Sequence, residues 1–373
     1  MWMKISSSGI VRSTDGPEGA VLVMQQTLRD WLGRHTRLAW LALALLALLG
    51  VFLLWQAWQT ERHAAVKRVT WTPLVPLDFG LTQPITGALS LDPGKVALGN
   101  SLFHDVRLSA DDTISCASCH ELSAGGADNR EKSVGVKGGV GAVNAPTVLN
   151  SGFNSVQFWD GRALTLEDQI DGPVHHPLEM ASNWEQVLGK LRLDQAYVKR
   201  FSGLYQDGMT PANIKDAIAT FERSLYTPDS AFDRFLRGDT AALDAEAQRG
   251  WQIFQSYGCV SCHQGVNLGG NFYERMGLMG DYFGDRGQPT EADNGRFNVT
   301  HDPEDMHYFR VPSLRNVAFT YPYFHDGSTE SLHDAVRVMA KYQLGRSMPD
   351  EDVEAIVAFL VSLTGSTLLG EQP

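Results

Sequence analysis

The sequence predicts an all-α protein in which two similar helical units follow an apolar N-terminal segment. Three observations support this prediction. A short motif of two cysteines and a histidine occurs twice, over residues 116–120 and 259–263. A helical pattern with the same glycine and phenylalanine spacing precedes each copy, and an almost unbroken apolar run occupies residues 38–58. Alternating runs rich in Val and Ile, which would indicate strands, are scarce.

Both copies of the motif read C-x-x-C-H, which is typical of c-type haem attachment. The two thiols bond to the porphyrin edge, and the adjoining histidine, here His120 or His263, ligates the iron. The competing interpretations are a zinc ribbon and redox-active dithiols, and the cysteine pairs of a zinc ribbon usually stand about 15–20 residues apart. The sequence therefore predicts two covalently attached haems in an all-α fold of two fused cytochrome c-type haem domains. The thiols would come from all four cysteines of the chain: Cys116, Cys119, Cys259 and Cys262.

The apolar run over residues 38–58 is long enough to cross a bilayer as one helix, which needs about 20 residues. No small-residue cleavage site follows it, which favours an uncleaved transmembrane anchor over a signal peptide. Arginines precede the run, and positive charge stays on the cytoplasmic side of a membrane. We therefore expect a single-pass inner-membrane protein with residues 1–37 in the cytoplasm and the catalytic domains in the periplasm.

The remainder of the chain divides into three predicted parts. Residues 59–87 contain several prolines and turn residues, which predict an extended linker that wraps onto the first domain. The N-terminal cytochrome c domain is expected over residues 88–235 and the C-terminal one over residues 236–373.

Each predicted domain begins with a helix that leads to its haem motif. The first covers residues 93–103, with Asp92 as its N-cap, and the second covers residues 244–257. Gly99 corresponds to Gly250, and a phenylalanine follows each glycine after four residues, so the sequence predicts a duplicated helix-then-haem unit. Further helices are predicted over residues 184–193, 212–226, 331–342 and 350–363.

The formal net charge of −12 argues against nucleic acid as a partner. It would suit the docking of a small basic electron carrier, and it is equally compatible with a solvated acidic surface.

Four long segments resemble one family, the bacterial di-haem cytochrome c peroxidases and their relative MauG. They are ISCASCHELSAGGADN, NAPTVLNSGFNSVQFWDGRA, GPVHHPLEM and FRVPSLRNVAFTYPYFHDGS. The resemblance implies that the first haem, held by His120, reacts with peroxide. It also implies that the second haem, held by His263, passes electrons in.

The resemblance also implies roles for individual residues. Trp159 matches the tryptophan between the two haems, Glu179 the distal acid–base glutamate, and Gln169 an amide of the pocket. A carboxylate over an open iron suits peroxide chemistry independently, because O–O cleavage moves a proton between the two oxygens. From the residues alone, Glu179 could be a surface residue and Trp159 core packing. Three residues match positions that bind calcium in the family: Asn144, Thr320 and Pro322.

For the second haem the resemblance implies Met339 as the sixth ligand, as in the peroxidases. Soft thioether ligation raises a reduction potential, which suits a haem that receives electrons. Packing on a buried helix face remains an open alternative, because Met339 continues an apolar stripe at helical spacing. Other residues that could ligate this haem are Met306, Met348 and Tyr342.

At the first haem the chain departs from the peroxidase pattern. Where most of these enzymes carry a histidine that closes the resting iron, this sequence has Val136, which has no lone pair to offer. His175 and His176 are the alternative ligands, although Pro177 stiffens their loop. The sequence therefore predicts a five-coordinate first haem, as in MauG.

Together these features predict a membrane-anchored periplasmic peroxidase that reduces hydrogen peroxide to water without prior reduction. Its electrons would come from a small cytochrome c, a cupredoxin or the quinol pool, and a homodimer is compatible with the sequence. The alternative is a MauG-like enzyme that oxidises side chains, for example tryptophan, of a partner protein. A third possibility is a cytochrome that only transfers electrons, and it ranks last because it would not use Glu179 or an open coordination position on the iron.

Overall fold

The computed structural model describes residues 24–25, 29, 45–57, 82–86 and 89–365. The chain forms two compact units, Met1–Thr72 and Pro73–Pro373. In the first unit, residues 45–57 are helical. No helix within the described residues is both long and apolar enough to span a membrane. The predicted anchor over residues 38–58 extends beyond the described residues at both ends.

The second unit is rich in helices, as predicted. In the described part of the chain the fold also contains one short antiparallel pair of strands, β1 (Tyr273–Arg275) and β2 (Tyr308–Arg310), which the sequence does not predict. The helices are α1 (Pro93–Phe103), α2 (Leu166–His175), α3 (Trp184–Leu191), α4 (Gln195–Leu204), α5 (Pro211–Ser224), α6 (Ala231–Leu236), α7 (Ala245–Ser256), α8 (Tyr282–Arg286), α9 (Phe297–Thr300), α10 (Leu332–Tyr342) and α11 (Asp350–Val361).

Helix α1 begins where the sequence predicts. The Asp92 carboxylate accepts hydrogen bonds from the backbone N–H groups of Gly94 and Lys95, at 2.8 and 3.2 Å. Pro93 occupies the first helical position, where its missing N–H costs nothing. The predicted N-cap and both ends of the helix are therefore confirmed.

The two haem motifs follow equivalent helix crossings. Helix α1 passes α5 at Gly99, where an added Cβ would lie 1.9 Å from the carbonyl oxygen of Ala217. Helix α7 passes α11 at Gly250, where the corresponding distance to the oxygen of Ala355 is 1.8 Å. The phenylalanine four residues after each glycine packs on a ring of the crossing helix, with centroids 5.3 and 5.1 Å apart. The predicted duplication is confirmed, and only glycine fits where the backbones meet.

Two large apolar clusters and a smaller third one, formed by Tyr282, Phe283, Phe309 and Tyr342, fill the second unit. Helices α1 to α5 build the first, against which Cys116 packs, and helices α6, α7, α10 and α11 build the second, against which Cys259 packs. The predicted domain boundary between residues 235 and 236 falls inside α6, whose Phe232 belongs to the second cluster. Each haem motif thus lies on an apolar cluster of its own.

The described part of the predicted linker, residues 82–86 and here called the strap, is extended as predicted, and the wrapping of the whole linker onto the first domain stays a prediction. The Ile85 N–H donates to Asp233 at 2.9 Å, and the Arg315 guanidinium donates to the Gln83 carbonyl at 3.0 Å. Asp233 and Arg315 form a fully buried ion pair at 2.8 Å. A buried ion pair needs further hydrogen bonds to offset its desolvation, and the strap supplies two of them.

Helix α2 was not predicted, because Pro173 interrupts its sequence. Its N-terminus is nevertheless well formed: the Thr165 hydroxyl accepts from the Asp168 N–H at 3.0 Å. Helices α4 and α6 were likewise missed. Helix α2 matters for function because it carries Gln169 and leads directly into the loop that carries Glu179.

Candidate functional site

The two C-x-x-C-H motifs share one backbone conformation. Each begins with a 3-10 turn, Cys116–Ser118 or Cys259–Ser261. In each, the histidine N–H donates to the carbonyl of the first cysteine at 3.0 Å. None of these four cysteines takes part in a disulfide. The two thiols and the imidazole of each motif therefore come from one tight turn.

Both histidines are oriented by a backbone carbonyl. The Nδ1 atom of His120 lies 3.2 Å from the Gly126 oxygen, and that of His263 lies 3.2 Å from the Leu268 oxygen. A proton on Nδ1 leaves the lone pair of Nε2 for iron. Burial lowers the pKa of both histidines, that of His263 to about 4, so the rings are neutral at physiological pH. The residues of both motifs thus fit a c-type haem.

Glu179 and Val136 lie side by side. The Val136 N–H donates to the Glu179 carbonyl at 2.8 Å, and Val136 is buried. An added Cβ on Gly135 would lie 2.2 Å from the Leu178 oxygen, so the two loops touch backbone to backbone. Met180, the residue after Glu179, packs in the first apolar cluster, against which Cys116 of the first haem motif also packs, so Glu179 lies near that motif.

The Glu179 carboxyl has the properties of an acid–base group. Burial raises its pKa, although the neighbouring His176 and Arg162 side chains oppose the rise. Its side chain is still 40% exposed, and its Oε1 lies 3.4 Å from Nδ1 of His176. A carboxyl that is partly open and has a raised pKa can accept and return a proton near neutral pH.

The predicted alternative ligands of the first haem have other partners. His176 pairs with Glu179 as described, and the ring of His175 packs edge-on against Trp184, with centroids 6.0 Å apart. Gln169 is half-buried on α2, and its role stays a prediction.

Trp159 is held at both its indole and its backbone. Its Nε1–H donates to the Asn144 carbonyl at 2.9 Å, and its own carbonyl accepts from the Arg310 N–H at 2.8 Å. The His325 ring stands nearly perpendicular to the indole at a centroid distance of 6.4 Å. This side chain is therefore part of an ordered polar arrangement in addition to its apolar packing.

Comparison with known proteins decides the family. A family model described as di-haem cytochrome c peroxidase matches residues 93–241. The cytochrome c551 peroxidase of Nitrosomonas europaea is 44% identical over 287 residues, which cover 76% of this chain and 84% of that protein. The chain belongs to the di-haem cytochrome c peroxidase family. The predicted family and its two c-type haems are thereby confirmed.

A second relative of this chain and one solved structure extend the comparison. The cytochrome c peroxidase Ccp of Escherichia coli K12 is 52% identical over 284 residues, and the match spans 76% of this chain but 61% of that protein. The crystal structure of a MauG-like protein associated with microbial copper homeostasis superimposes with a TM-score of 0.69 at 28% identity. That match covers 81% of this chain and 97% of the other.

The predicted calcium residues have protein partners. The Asn144 side-chain amide donates to the Arg130 carbonyl at 2.8 Å, and the Thr320 hydroxyl donates to the Val317 carbonyl at 3.3 Å. Pro322 follows a cis peptide bond. Calcium binding by this peroxidase family member stays a prediction.

Met339 lies on α10 and is partly exposed, beside Val336, which packs in the second apolar cluster. The hydroxyl of Tyr342 donates to Asp285 at 2.9 Å, so it already has a protein partner. Met348 is buried within the second cluster. Ligation of the second haem by Met339 stays a prediction.

Glu222 is a buried acid that sequence reasoning missed. It is 6% exposed, and its Oε2 atom has no hydrogen-bond partner in the described part of the chain. Burial raises its pKa to about 8. The feature of the sequence that could have indicated its burial is its position four residues after Ile218, on the apolar face of α5.

We expect Glu222→Gln to change the pH dependence of stability. Because the folded pKa is raised to about 8, the folded protein binds the proton more tightly, and stability falls as pH rises from about 4.5 to about 8. Glutamine does not ionise, so the variant does not lose stability in this way as pH rises. At alkaline pH its free energy of unfolding should exceed that of the wild type by about 3–5 kcal/mol. Urea unfolding at acid, neutral and alkaline pH measures the difference. The exposed Glu185→Gln is the control, and equal pH slopes for both variants would contradict the prediction.

Proposed function

We propose that the protein is a periplasmic di-haem peroxidase that reduces hydrogen peroxide to water. The observation that carries the proposal is the Glu179 carboxyl, whose pKa is raised by burial and which lies near the first haem motif. Relatives with 44–52% identity are named cytochrome c peroxidases.

On this proposal Cys116, Cys119 and His120 hold the first haem. The haem iron supplies the electronic part of O–O bond cleavage when it is bound. Glu179 takes the proton from the inner peroxide oxygen and gives it to the outer oxygen, so that the departing group is water. His176, whose Nδ1 lies 3.4 Å from the Glu179 carboxyl, stabilises the carboxylate form before it takes the proton and after it gives the proton up. Two electrons and two further protons complete the second water molecule.

Electrons return through the second half of the protein. Cys259, Cys262 and His263 hold the second haem, with Met339 as the proposed sixth ligand. Trp159, oriented by its hydrogen bond to a backbone carbonyl, carries electrons between the two haems. The donor is a small cytochrome c, a cupredoxin or quinol.

We expect the fully oxidised protein to react with peroxide, because Val136 cannot close the first iron. Val136→His should restore a closing ligand beside Glu179. If that ligand occupies the iron nine-tenths of the time, reaction slows about tenfold until the second haem is reduced. Stopped-flow absorbance in the Soret region measures both rates.

The matched control is Val134→His on the same loop, because Val134 is exposed and lies two residues earlier. It should leave the rate unchanged. A wild-type protein that shows no spectral change with peroxide until it is reduced would contradict the proposed open site.

A MauG-like oxidation of a partner protein is the second candidate function. Val136 favours it, and so does the likeness to a MauG-like structure. Mass spectrometry of co-expressed partner proteins, compared with turnover of a reduced cytochrome, separates the two candidates.

We further propose that residues 38–58 anchor the protein in the inner membrane, and that the Pro73–Pro373 unit works in the periplasm. The length and apolarity of the run support the anchor, and thioether-bound haem suits a periplasmic location. The resemblance at Asn144, Thr320 and Pro322 supports one bound calcium ion, and a homodimer is the proposed assembly.

A further inference from the structure

His325 holds Trp159 through two routes. Its carbonyl accepts from the Asn144 N–H at 2.8 Å, and the Asn144 carbonyl in turn accepts the Trp159 Nε1–H at 2.9 Å. Its ring also contacts the indole, with an angle of 73° between the two ring planes. One residue, distant in sequence, therefore touches both the ring and the hydrogen-bond acceptor of this tryptophan.

His325 is itself fixed by a buried carboxylate. Its Nε2 lies 2.7 Å from Oδ1 of Asp293, and the two side chains are 4% and 1% exposed. The ring of Phe309 packs on the imidazole at a centroid distance of 4.5 Å, which leaves the imidazole little freedom to turn. Burial lowers the pKa of His325, so the imidazole is neutral at physiological pH.

Asp293 is held as an anion. Arg286 donates to its Oδ2 at 2.6 Å, and the Thr290 N–H donates to the same atom at 2.5 Å. Burial alone would raise the pKa of Asp293, but these hydrogen bonds and that of His325 hold it below its ordinary range. Arg286 also pairs with Asp326, so two carboxylates share one guanidinium. The cluster that faces His325 therefore carries one net negative charge.

We propose that His325, held by Asp293, is a positioning residue that fixes the Trp159 indole in its orientation for electron transfer between the haems. The inference rests on the proposed function. In that function the Trp159 indole would give one electron towards the first haem and take one from the second, and no bond would form or break. The indole carries a positive charge between these two events.

The contacts explain how the orientation is kept. The Asn144 carbonyl accepts the Trp159 Nε1–H, and the Asn144 N–H is in turn held by the His325 carbonyl. Because Nε2 of His325 is bonded to Asp293, the imidazole cannot turn away from the indole.

The test compares His325→Phe, which keeps a ring but loses the bond to Asp293, with His333→Phe. His333 is a surface histidine that also pairs with a carboxylate, at 3.0 Å from Glu354, so it is a matched control. Pulse radiolysis of the two-haem protein measures the rate of electron transfer between the haems. We expect His325→Phe to slow this rate about tenfold or more, because a misplaced group loses its productive orientation. His333→Phe should leave it unchanged.

A second readout is independent of turnover. Ultraviolet resonance Raman spectroscopy detects the indole N–H band, and subtracting the spectrum of Trp159→Phe isolates the contribution of Trp159. This band should shift in His325→Phe and stay in place in His333→Phe. If His325→Phe does not fold, Asp293→Asn keeps a side chain of the same shape and should shift the same band.

The outcomes separate the two proposals. An unchanged rate together with an unchanged band in the His325 variant would overturn the positioning role. If Trp159→Phe leaves the rate between the haems unchanged, the electron route of the proposed function fails, and the Raman band still decides whether His325 holds the indole.

Discussion

Glu179→Gln should lower the kcat of peroxide reduction by about 10²–10⁴-fold, because glutamine has nearly the same shape but cannot carry the proton between the two oxygens. Steady-state oxidation of a reduced cytochrome c by peroxide measures the loss. Equal haem content and equal Soret spectra would show that the variant binds both haems. The control is Glu121→Gln, an exposed carboxylate directly after the first haem motif, which should keep wild-type activity.

The pH profile gives a second check on Glu179. The proton-accepting form is the carboxylate, so activity should fall as pH falls through the pKa of this group. Burial raises that pKa, so the acid limb should lie above the range of an ordinary glutamate. In Glu179→Gln this limb should disappear along with the activity. A variant that retains most of its kcat and the same acid limb would show that another group moves the proton.

Gly99→Ala should destabilise the protein by about 3 kcal/mol or more, or prevent folding of the first half. Its Cβ would lie 1.9 Å from the carbonyl oxygen of Ala217. That oxygen belongs to the backbone of α5, so it cannot move aside as a flexible side chain would. The helices would have to separate, and the packing that leads into the first haem motif would be lost.

Urea unfolding, followed by far-ultraviolet circular dichroism and by Soret absorbance, measures this effect. The control is Gly189→Ala on α3, where an added Cβ meets nothing within 4 Å. There alanine should be neutral or stabilising by up to about 1 kcal/mol, because it restricts the unfolded chain. If both variants unfold at the same urea concentration, the close crossing of α1 and α5 does not constrain residue 99.

The features that the sequence predicted well are those with short-range causes. Asp92 followed by Pro93 specifies the start of α1, and the structure begins the helix there. The C-x-x-C-H motifs need only a single turn to bring two thiols and an imidazole together. The correspondence of Gly99 with Gly250 was visible because the two crossings are copies of each other.

The features that it missed depend on partners far along the chain. Pro173 argues locally against a helix, and tertiary packing of α2 overrides that preference. His325 belongs to a segment that the family resemblance includes, but nothing near it indicates that its partner is Asp293, 32 residues earlier. Glu222 could have been noticed as a charge on an apolar helix face. Its burial, however, is a property of the assembled core.

The strap has a consequence for how the protein can be divided. It precedes both haem motifs, yet its partners Asp233 and Arg315 lie 148 and 232 residues further along the chain. The C-terminal cytochrome is therefore discontinuous in sequence: a fragment cut at residue 236 would lack both the strap and Asp233, and would leave the Arg315 guanidinium buried without its counter-charge. A recombinant second domain has to include the strap as a separate or fused peptide. For the same reason, an exchange of domains between relatives should transfer the residues around 82–86 together with the C-terminal half.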